Sequence, residues 1–157
     1  LEFRRVLFRS RPLAIIALAC SVAVFGAAVA APVETVIPAP GFVDFLAIDG
    51  DTVWATNTGQ VERWSRDGKL AVTPLEGACG AMTISNSALW VANCKAGTVN
   101  RIDIRANTVA ASIPTGLACP DGEMNVASGA GSIWVASDVS GVISRIDPSS
   151  KIGRAHV

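Results

Sequence analysis

After Ala31, apolar and polar residues alternate along the chain in short runs. The runs ALWVAN, TVNRIDI and TVAASI are rich in Val, Ile, Thr and Trp, and turn-forming Gly, Asn, Asp or Ser residues bound them. A period of two with turn residues at both ends predicts β-strands joined by hairpins. No window after Ala31 predicts a helix, because Gly, Pro or a β-branched cluster interrupts each one. The pattern therefore predicts an all-β domain.

Three stretches of the chain share one pattern: DTVWATNTGQVERW from Asp51, SALWVANCKAGTVNRID from Ser87, and GSIWVASDVSGVISRID from Gly131. Each has an aliphatic residue before Trp, then a turn containing Gly, and then an alternation of Val or Ile that reaches Arg. Trp54, Trp90 and Trp134 recur at intervals of 36 and 44 residues. A period of this length is typical of repeat architectures.

Around Trp90 the alternation predicts four strands: a over Met82–Ser85, b over Leu89–Asn93, c over Val99–Ile104, and d over Val109–Ile113. The linkers between them have hairpin length. Four short antiparallel strands in a repeat of about 40 residues are typical of a β-propeller blade. A β-sandwich is the alternative, but it does not predict the Trp period.

We therefore expect a partial propeller over residues 31–150, with blades near 42–76, 77–115 and 116–150, the third without its outer strand. Three blades do not close a ring, so the predicted fold class is all-β, an open arc of a propeller preceded by an N-terminal signal helix.

Both ends of the chain are predicted not to be native. One back-translation of Leu1–Ser10 has a complementary strand that begins AGATCGGAAGAGCACACGTCTGA. The same bases encode Lys151–Val157 when they are taken to start at the second base of the Lys151 codon. Unrelated termini have no reason to encode reverse complements of each other, so both ends resemble read-through of a sequencing-library adapter. We expect residues 1–10 and 151–157 to be artefacts around a truncated fragment. A genuine basic N-terminus with a short C-terminal tail is the alternative.

Residues 11–30 have the pattern of a secretory signal peptide. Arg11 precedes an apolar run over Leu13–Phe25, and Ala28-Val29-Ala30 provides a small-x-small exit. We predict cleavage between Ala30 and Ala31 and a periplasmic or secreted protein. An uncleaved membrane anchor over residues 13–31 is the alternative. Lipoprotein processing at Cys20 is less favoured, because apolar sequence continues well past it.

Composition excludes several function classes. The chain carries 13 basic and 13 acidic residues, but without the two ends acidic residues outnumber basic ones. That balance argues against nucleic-acid binding. The single histidine, His156, lies in the C-terminal end, so the remaining segment holds neither a Ser-His-Asp nor a Cys-His arrangement. No cofactor is indicated, although the full-length protein could hold a divalent cation.

One edge of the predicted blades collects polar residues. In an a-b-c-d meander the b–c turns and the d–a crossovers lie at the same edge, called the crossover rim here. It is defined by the b–c turns at Asn57, Asn93 and Asp138 and by the crossover Leu117–Met124. Asp121 and Glu123 join Asp138 there, and three carboxylates suit Ca²⁺ or Mg²⁺; solvated loop acids are the alternative. We expect a small molecule or a protein partner to bind at this rim.

Several other residues, most of them recurring in the repeats, are predicted to have structural roles. Trp54, Trp90 and Trp134 are predicted to pack between blades, with a ligand-stacking ring as the alternative. Trp64 lies between charged neighbours and is predicted to be exposed. Asp49-Gly50-Asp51 is predicted to be a turn at the edge opposite the crossover rim. Strand c has arginines at equivalent positions, namely Arg63, Arg101 and Arg145, and Asp103 and Asp147 follow the last two of them by two residues. Each Arg-Ile-Asp is expected to form an ion pair within or between blades.

A disulfide between Cys79 and Cys94 follows from the predicted hairpin. A two-residue turn at Asn86-Ser87 pairs Ser85 with Ala88, and that register places Cys79 opposite Cys94. A bulge within Cys79–Met82 would shift the register. Pairing of Cys94 with Cys119, or free thiols, are the alternatives.

The string from Gly129 to Pro148, GAGSIWVAS followed by GVISRIDP, with AASIPTG before it, resembles the repeat of YVTN-type and virginiamycin B lyase-like propellers. The resemblance covers 42–150. It implies an exported propeller, usually with about seven blades, and a cysteine pair placed as Cys79 and Cys94. It also implies that a lyase would carry its catalytic His in later blades. Two functions stay open: a non-catalytic propeller that binds a ligand or partner, and a metal-assisted lyase or hydrolase.

Overall fold

The computed structural model describes residues 31–117, 119, 121–137 and 141–149. The predicted ends, the predicted signal segment and Asp138 lie outside these residues. The chain divides into two compact units, 1–34 and 35–157, and every described strand belongs to the second. Residues 31–45 have no regular secondary structure. Over the described part of the chain, no helix is long and apolar enough to cross a membrane.

Eleven strands form three antiparallel sheets in the described residues. The first sheet has the order β1 (Leu46–Asp49), β2 (Thr52–Asn57), β3 (Gln60–Ser65), β4 (Gly68–Pro74). The second has β5 (Ala78–Ser85), β6 (Ala88–Asn93), β7 (Thr98–Asp103) and β8 (Thr108–Pro114). The third has β9 (Met124–Gly129), β10 (Ser132–Ser137) and β11 (Ile143–Ile146). Each sheet is a meander of a propeller blade, so the all-β prediction is confirmed.

The second sheet is buried on both of its faces. Leu89 and Val91 of β6 pack with Trp54 in the core between the first and second sheets. The alternate residues of β6, among them Trp90, pack with Ile133 in the core between the second and third sheets. A strand that is buried on both faces has no polar face to alternate with. This explains why β6 is the almost wholly apolar segment ALWVAN.

The first strands of the second and third sheets approach each other closely. Gly80 in β5 has a φ of +66°, and a Cβ atom at this position would overlap the backbone carbonyl of Met124 in β9. Only glycine has both the conformational freedom and the missing side chain that this contact requires. Gly80 also lies where the pairing of β5 with β6 shifts its register, between Cys79 and Thr83. The bulge therefore turns glycine backbone toward the next sheet.

Candidate functional site at the crossover rim

Asparagine side chains build the crossover rim in the first two sheets. Asn57, at the end of β2, donates from Nδ2 to the Pro40 carbonyl at 2.9 Å and accepts from the Phe42 amide at 2.8 Å. Asn93, at the end of β6, donates to the Glu76 carbonyl at 2.7 Å. Each b–c turn is thus bonded to the segment that enters its own strand a. The b–c turns and crossovers do share an edge, as the meander argument predicts.

A small cleft opens at this rim where the first sheet meets the entrances of β5 and β9. Its volume is about 200 Å³. Asp44 and Glu123 place exposed carboxylates in its lining. Aromatic and hydroxyl groups complete the wall, and the remaining contacts come from backbone near the disulfide; the lining residues are Phe42, Phe45, Thr56, Asn57, Thr58, Gly59, Ala78, Cys79 and Gly80. This rim cleft combines negative charge with aromatic surface.

The predicted carboxylate triad is only partly visible. Glu123 lines the rim cleft, Asp121 is exposed two residues before it, and Asp138 lies outside the described residues. Within the part of the chain that the structure describes, no three His, Cys, Asp or Glu side chains come together as metal ligands. The acid that accompanies Glu123 in the cleft is Asp44. Sequence reasoning missed it because Asp44 precedes the first strand, outside the repeat pattern.

The structure joins Cys79 to Cys94 in a disulfide with a Cα–Cα distance of 5.9 Å. The predicted register is wrong, however. Cys79 pairs with Ala92, and only Thr83–Ser85 keep the predicted pairing, because a bulge intervenes. The bridge is therefore diagonal rather than directly cross-strand. The amide of Cys119, which is buried, donates to the Cys94 carbonyl at 3.2 Å, so the third cysteine lies beside the bridge without belonging to it.

A larger cavity of about 770 Å³ lies against the face of the first sheet that points away from the second. Residues Thr35, Ile37, Ala39 and Val43 form one wall; Leu46, Asp51, Val53, Ala55, Trp64, Ser65 and Arg66 form the other. Trp64 is half-buried here, whereas the sequence predicted it to be exposed. Its indole donates from Nε1 to Glu62 Oε2 at 2.9 Å, which fixes the ring at the cavity wall.

Glu62 is a buried carboxylate that sequence reasoning missed. Its side chain has no exposed surface, and Gln60 Nε2 and Lys69 Nζ each donate to Oε1 at 2.6 Å. Lys69 Nζ also lies 4.9 Å from the centroid of the Trp64 ring. Burial raises the pKa of Glu62, but hydrogen bonds from Lys69, Asn57, Gln60 and Trp64 outweigh it and hold the pKa below its ordinary value. Glu62 is therefore ionised at neutral pH.

A sequence signal for this buried polar position did exist. The equivalent positions in the other two sheets are Asn100 and Ser144, and both are buried. A polar residue thus recurs inside a Val and Ile alternation in every repeat. That recurrence marks a polar site between strands rather than a surface residue.

The repeated tryptophans have different environments. Trp54 and Trp90 are buried between sheets, as predicted, whereas Trp134 is partly exposed on the third sheet. Trp90 Nε1 donates to the Ser85 carbonyl at 3.1 Å, and Trp134 Nε1 donates to the Gly129 carbonyl at 2.9 Å. The two indoles therefore have equivalent orientations, and only the packing beyond them differs.

The arginines of strand c do not pair with the aspartates that follow them. Arg63 forms its ion pair with Asp49, the last residue of β1, at 3.2 Å. Asp103 Oδ1 instead accepts the amides of Arg105 and Ala106, and these bonds, followed by the charge of Arg101, lower the pKa of Asp103 despite a small opposing effect of burial. Asp147 Oδ1 likewise accepts from Ser149. These aspartates cap c–d turns.

Sequence comparison finds no protein family and no curated protein that matches this chain. Solved structures do resemble it. Virginiamycin B lyase from Staphylococcus aureus has a TM-score of 0.62 at 18% identity, with 76% of this chain and 42% of the lyase covered. BamB from Moraxella catarrhalis has a TM-score of 0.60 at 17% identity, with 77% and 38% covered. The computationally designed Ika4 protein has a TM-score of 0.62 at 14% identity, with 78% and 75% covered.

The lyase and BamB are β-propeller proteins, and the chain spans less than half of the length of either. At these identities the similarity shows the fold alone. The three sheets are blades of a propeller-like fold.

Proposed function

We propose that this chain belongs to an exported β-propeller that binds a ligand or protein partner at the crossover rim. The rim cleft is the observation that carries the proposal. Asn57, which lines the cleft, bonds to Pro40 and Phe42 and so fixes this part of its wall. Binding residues are commonly carried on loops that a rigid sheet scaffold holds in place.

The lining favours a ligand that presents a cationic group. The carboxylates of Asp44 and Glu123 attract positive charge, and Phe42 and Phe45 add aromatic residues to the lining that can contact a cation or its aliphatic stem. A volume of about 200 Å³ is below the range of about 300–1,000 Å³ for drug-sized ligands. It suits one side chain of a partner, such as Lys or Arg, better than a whole small molecule.

Two features support export. Residues 11–30 carry the signal-peptide pattern, and the disulfide between Cys79 and Cys94 belongs to an oxidising compartment. Expression in a bacterial host, followed by N-terminal sequencing of the periplasmic fraction, should give a chain that begins at Ala31. Retention in the membrane with residues 13–31 intact would favour the anchor instead.

The binding proposal is tested with a hexa-arginine peptide titrated into the full chain by isothermal titration calorimetry, with a hexa-glutamate peptide for comparison. We expect binding of the basic peptide only, and we expect Asp44→Asn or Glu123→Gln to weaken it by about tenfold, which is about 1.4 kcal/mol. Asp51→Asn is the matched control, because Asp51 is an exposed acid in the turn between β1 and β2. Equal losses in all three variants would show nonspecific attraction and contradict a site at the rim.

A metal-assisted lyase is the second candidate, favoured by the structural similarity to virginiamycin B lyase and to a streptogramin B lyase. A crystal of a catalytically inactive form of the former contains quinupristin. Incubation of the full-length protein with quinupristin and Mg²⁺, followed by mass spectrometry, tests this function. Metal-dependent cleavage of the substrate ring would support the lyase, and unchanged quinupristin would leave the binding module as the function.

A further inference from the structure

The three cysteines of the described residues lie in one core, between the second and third sheets. Cys94 and Cys119 are buried in it, and Cys79 packs against it from a partly buried position. Cys79 and Cys94 form the disulfide, and Cys119 is not part of it. The amide of Cys119 donates to the Cys94 carbonyl at 3.2 Å. A thiol therefore lies beside a disulfide in the same apolar environment.

The backbone contact places Cys119 within reach of a second bridge to Cys94. Hydrogen-bonded residues of an antiparallel pair have Cα atoms about 5.5 Å apart, and the amide-to-carbonyl bond from Cys119 to Cys94 has the same chemistry. Disulfides span Cα–Cα distances of about 4.4–6.8 Å. The bridge from Cys79 to Cys94, at 5.9 Å, is in this range. Cys94 is thus placed between two cysteines, either of which its sulfur can bond.

We propose that Cys119 is an internal nucleophile toward this disulfide and makes Cys79 a modification site in the wall of the rim cleft. The thiolate of Cys119 attacks Cys94 Sγ, a bond forms between these two sulfurs, and the bond from Cys94 to Cys79 breaks. Cys79 leaves as a thiolate and takes up the proton that Cys119 released. One disulfide and one thiol are present before and after the step, so it needs no oxidant and no reductant.

Cys79 is the cysteine that a small molecule reaches. It lines the rim cleft and is partly buried, whereas Cys94 and Cys119 are 5% and 0% exposed. The same cleft holds the carboxylates of Asp44 and Glu123, which repel an anion. The site therefore takes a neutral or cationic electrophile in preference to an anionic one. This thiol chemistry does not require the rim to bind a ligand or a partner.

The exchange becomes visible when the released thiolate is trapped. Uncatalysed disulfide rearrangement takes minutes to hours, and it is reversible, so the chain stays bridged between Cys79 and Cys94 until Cys79 is consumed. Iodoacetamide consumes it irreversibly, because the sulfur displaces iodide and forms a thioether. The alkylated Cys79 no longer attacks the new bridge, and the bond between Cys94 and Cys119 is retained.

The test is peptide mapping of the full chain, purified without reductant and incubated with iodoacetamide at pH 8 before an acid quench. Cys20→Ser is included in every chain, so that only the cysteines of the described residues react. The untreated chain should give the link from Cys79 to Cys94. After several hours with the reagent we expect alkylated Cys79 and a link from Cys94 to Cys119. In the matched variant Cys119→Ala, Cys79 should remain bridged and unlabelled.

A second reagent tests where the reaction takes place. Iodoacetate differs from iodoacetamide by one negative charge, and both are used at concentrations where labelling is proportional to the reagent. Relative to their rates with the amino acid cysteine, iodoacetate should label Cys79 about tenfold more slowly than iodoacetamide. The double variant Asp44→Asn with Glu123→Gln should remove most of this difference. Equal relative rates in the parent chain would contradict a reaction in the acidic cleft.

The mapped peptides of the parent chain decide the proposal, even if Cys119→Ala fails to fold. Alkylation of Cys119 with the original bridge intact would overturn it, because this is direct attack on the buried thiol. A link from Cys79 to Cys119 would overturn it as well, since the wrong sulfur of the disulfide was then attacked. So would a parent chain that takes up no label, or a folded Cys119→Ala chain whose Cys79 is labelled as fast as in the parent.

Discussion

Arg63 Nη1, in the first sheet, donates a hydrogen bond of 2.9 Å to the carbonyl oxygen of Ile104, which directly follows β7 of the second sheet. The same guanidinium lies 5.3 Å from the centroid of the Trp54 ring and pairs with Asp49. One side chain thus links a turn, a core indole and the neighbouring sheet.

We predict that Arg63→Ala lowers the free energy of unfolding by about 2 kcal/mol, because several charge-assisted bonds are lost together. Thr52→Ala removes the 3.2 Å bond from Arg63 Nε and the 2.9 Å bond that the Thr52 hydroxyl donates to the Asp49 carbonyl, and it should cost about 1 kcal/mol. Among the described residues, the equivalent Nε of Arg101 is buried with no hydrogen-bond partner. Urea denaturation of the three chains measures both values, and equal stabilities would contradict the bridging role of Arg63.

The ion pair of Glu62 with Lys69 predicts an acid-sensitive stability. A carboxyl group whose pKa is lowered in the folded state contributes stability above its ordinary pKa of 4.5, and this contribution disappears as the pH falls through the folded value. We expect the urea concentration at the midpoint of unfolding to decrease as the pH is lowered below about 4.5. In Glu62→Gln this part of the pH dependence should be absent, so an unchanged pH profile in that variant would contradict the assignment.

Lys69→Met should destabilise the protein at neutral pH, because it leaves the Glu62 carboxylate buried with fewer donors. The expected loss is about 2 kcal/mol. The matched control is Arg66→Met, since Arg66 pairs with Asp67 at 3.7 Å on the fully exposed surface. That pair should contribute less than about 0.5 kcal/mol. Similar losses in the two variants would show that Glu62 does not depend on Lys69.

The close contact at Gly80 predicts that the stability lost on replacing a glycine by alanine depends strongly on the position of that glycine. Gly80→Ala places a methyl group into the Met124 carbonyl at a φ of +66°, so we expect a loss of about 4 kcal/mol or an unfolded protein. Gly50→Ala has a φ of +55° with no atom within 4 Å of the new Cβ, and it should cost about 1 kcal/mol. Thermal unfolding followed by circular dichroism compares the two. A similar effect at both positions would contradict the close approach of β5 to β9.

The disulfide predicts a further stability difference. It closes a loop with a sequence separation of 15 residues, and replacement of both Cys79 and Cys94 by Ser should cost about 3 kcal/mol. Non-reduced peptide mapping of the protein purified without reductant should recover the peptides of Cys79 and Cys94 joined together. A bridge from either of them to Cys119 would contradict the structure.

Much of the fold was predictable because it depends on local periodicity. The spacing of Trp54, Trp90 and Trp134 predicted three repeats, and each of the four strands predicted around Trp90 is present, with β5 beginning four residues earlier. Register was less predictable. The bulge at Gly80 moves the partner of Cys79 from Cys94 to Ala92, and it coincides with a close approach to Met124, which is 44 residues away in the chain.

The candidate site was likewise predictable only in part. The meander alone placed Asn57, Asn93 and Glu123 at one edge, because strand direction alternates along the chain whatever the side chains are. It did not identify Asp44, Glu62 or the Asp49 partner of Arg63, since those contacts depend on how the sheets pack.

The sequence by itself determined the all-β class, the strand alternation and the repeat, because these follow from which face of each strand is apolar. Only the tertiary structure decided which residues of the repeats became buried and which contacts they made. Trp134 is equivalent to Trp90 in sequence, yet it is exposed because no described sheet covers it. Glu62 is equivalent to Asn100, yet it is a buried anion because Lys69, Gln60 and Trp64 surround it. Burial and charge compensation depend on residues that are brought together only when the sheets form and pack.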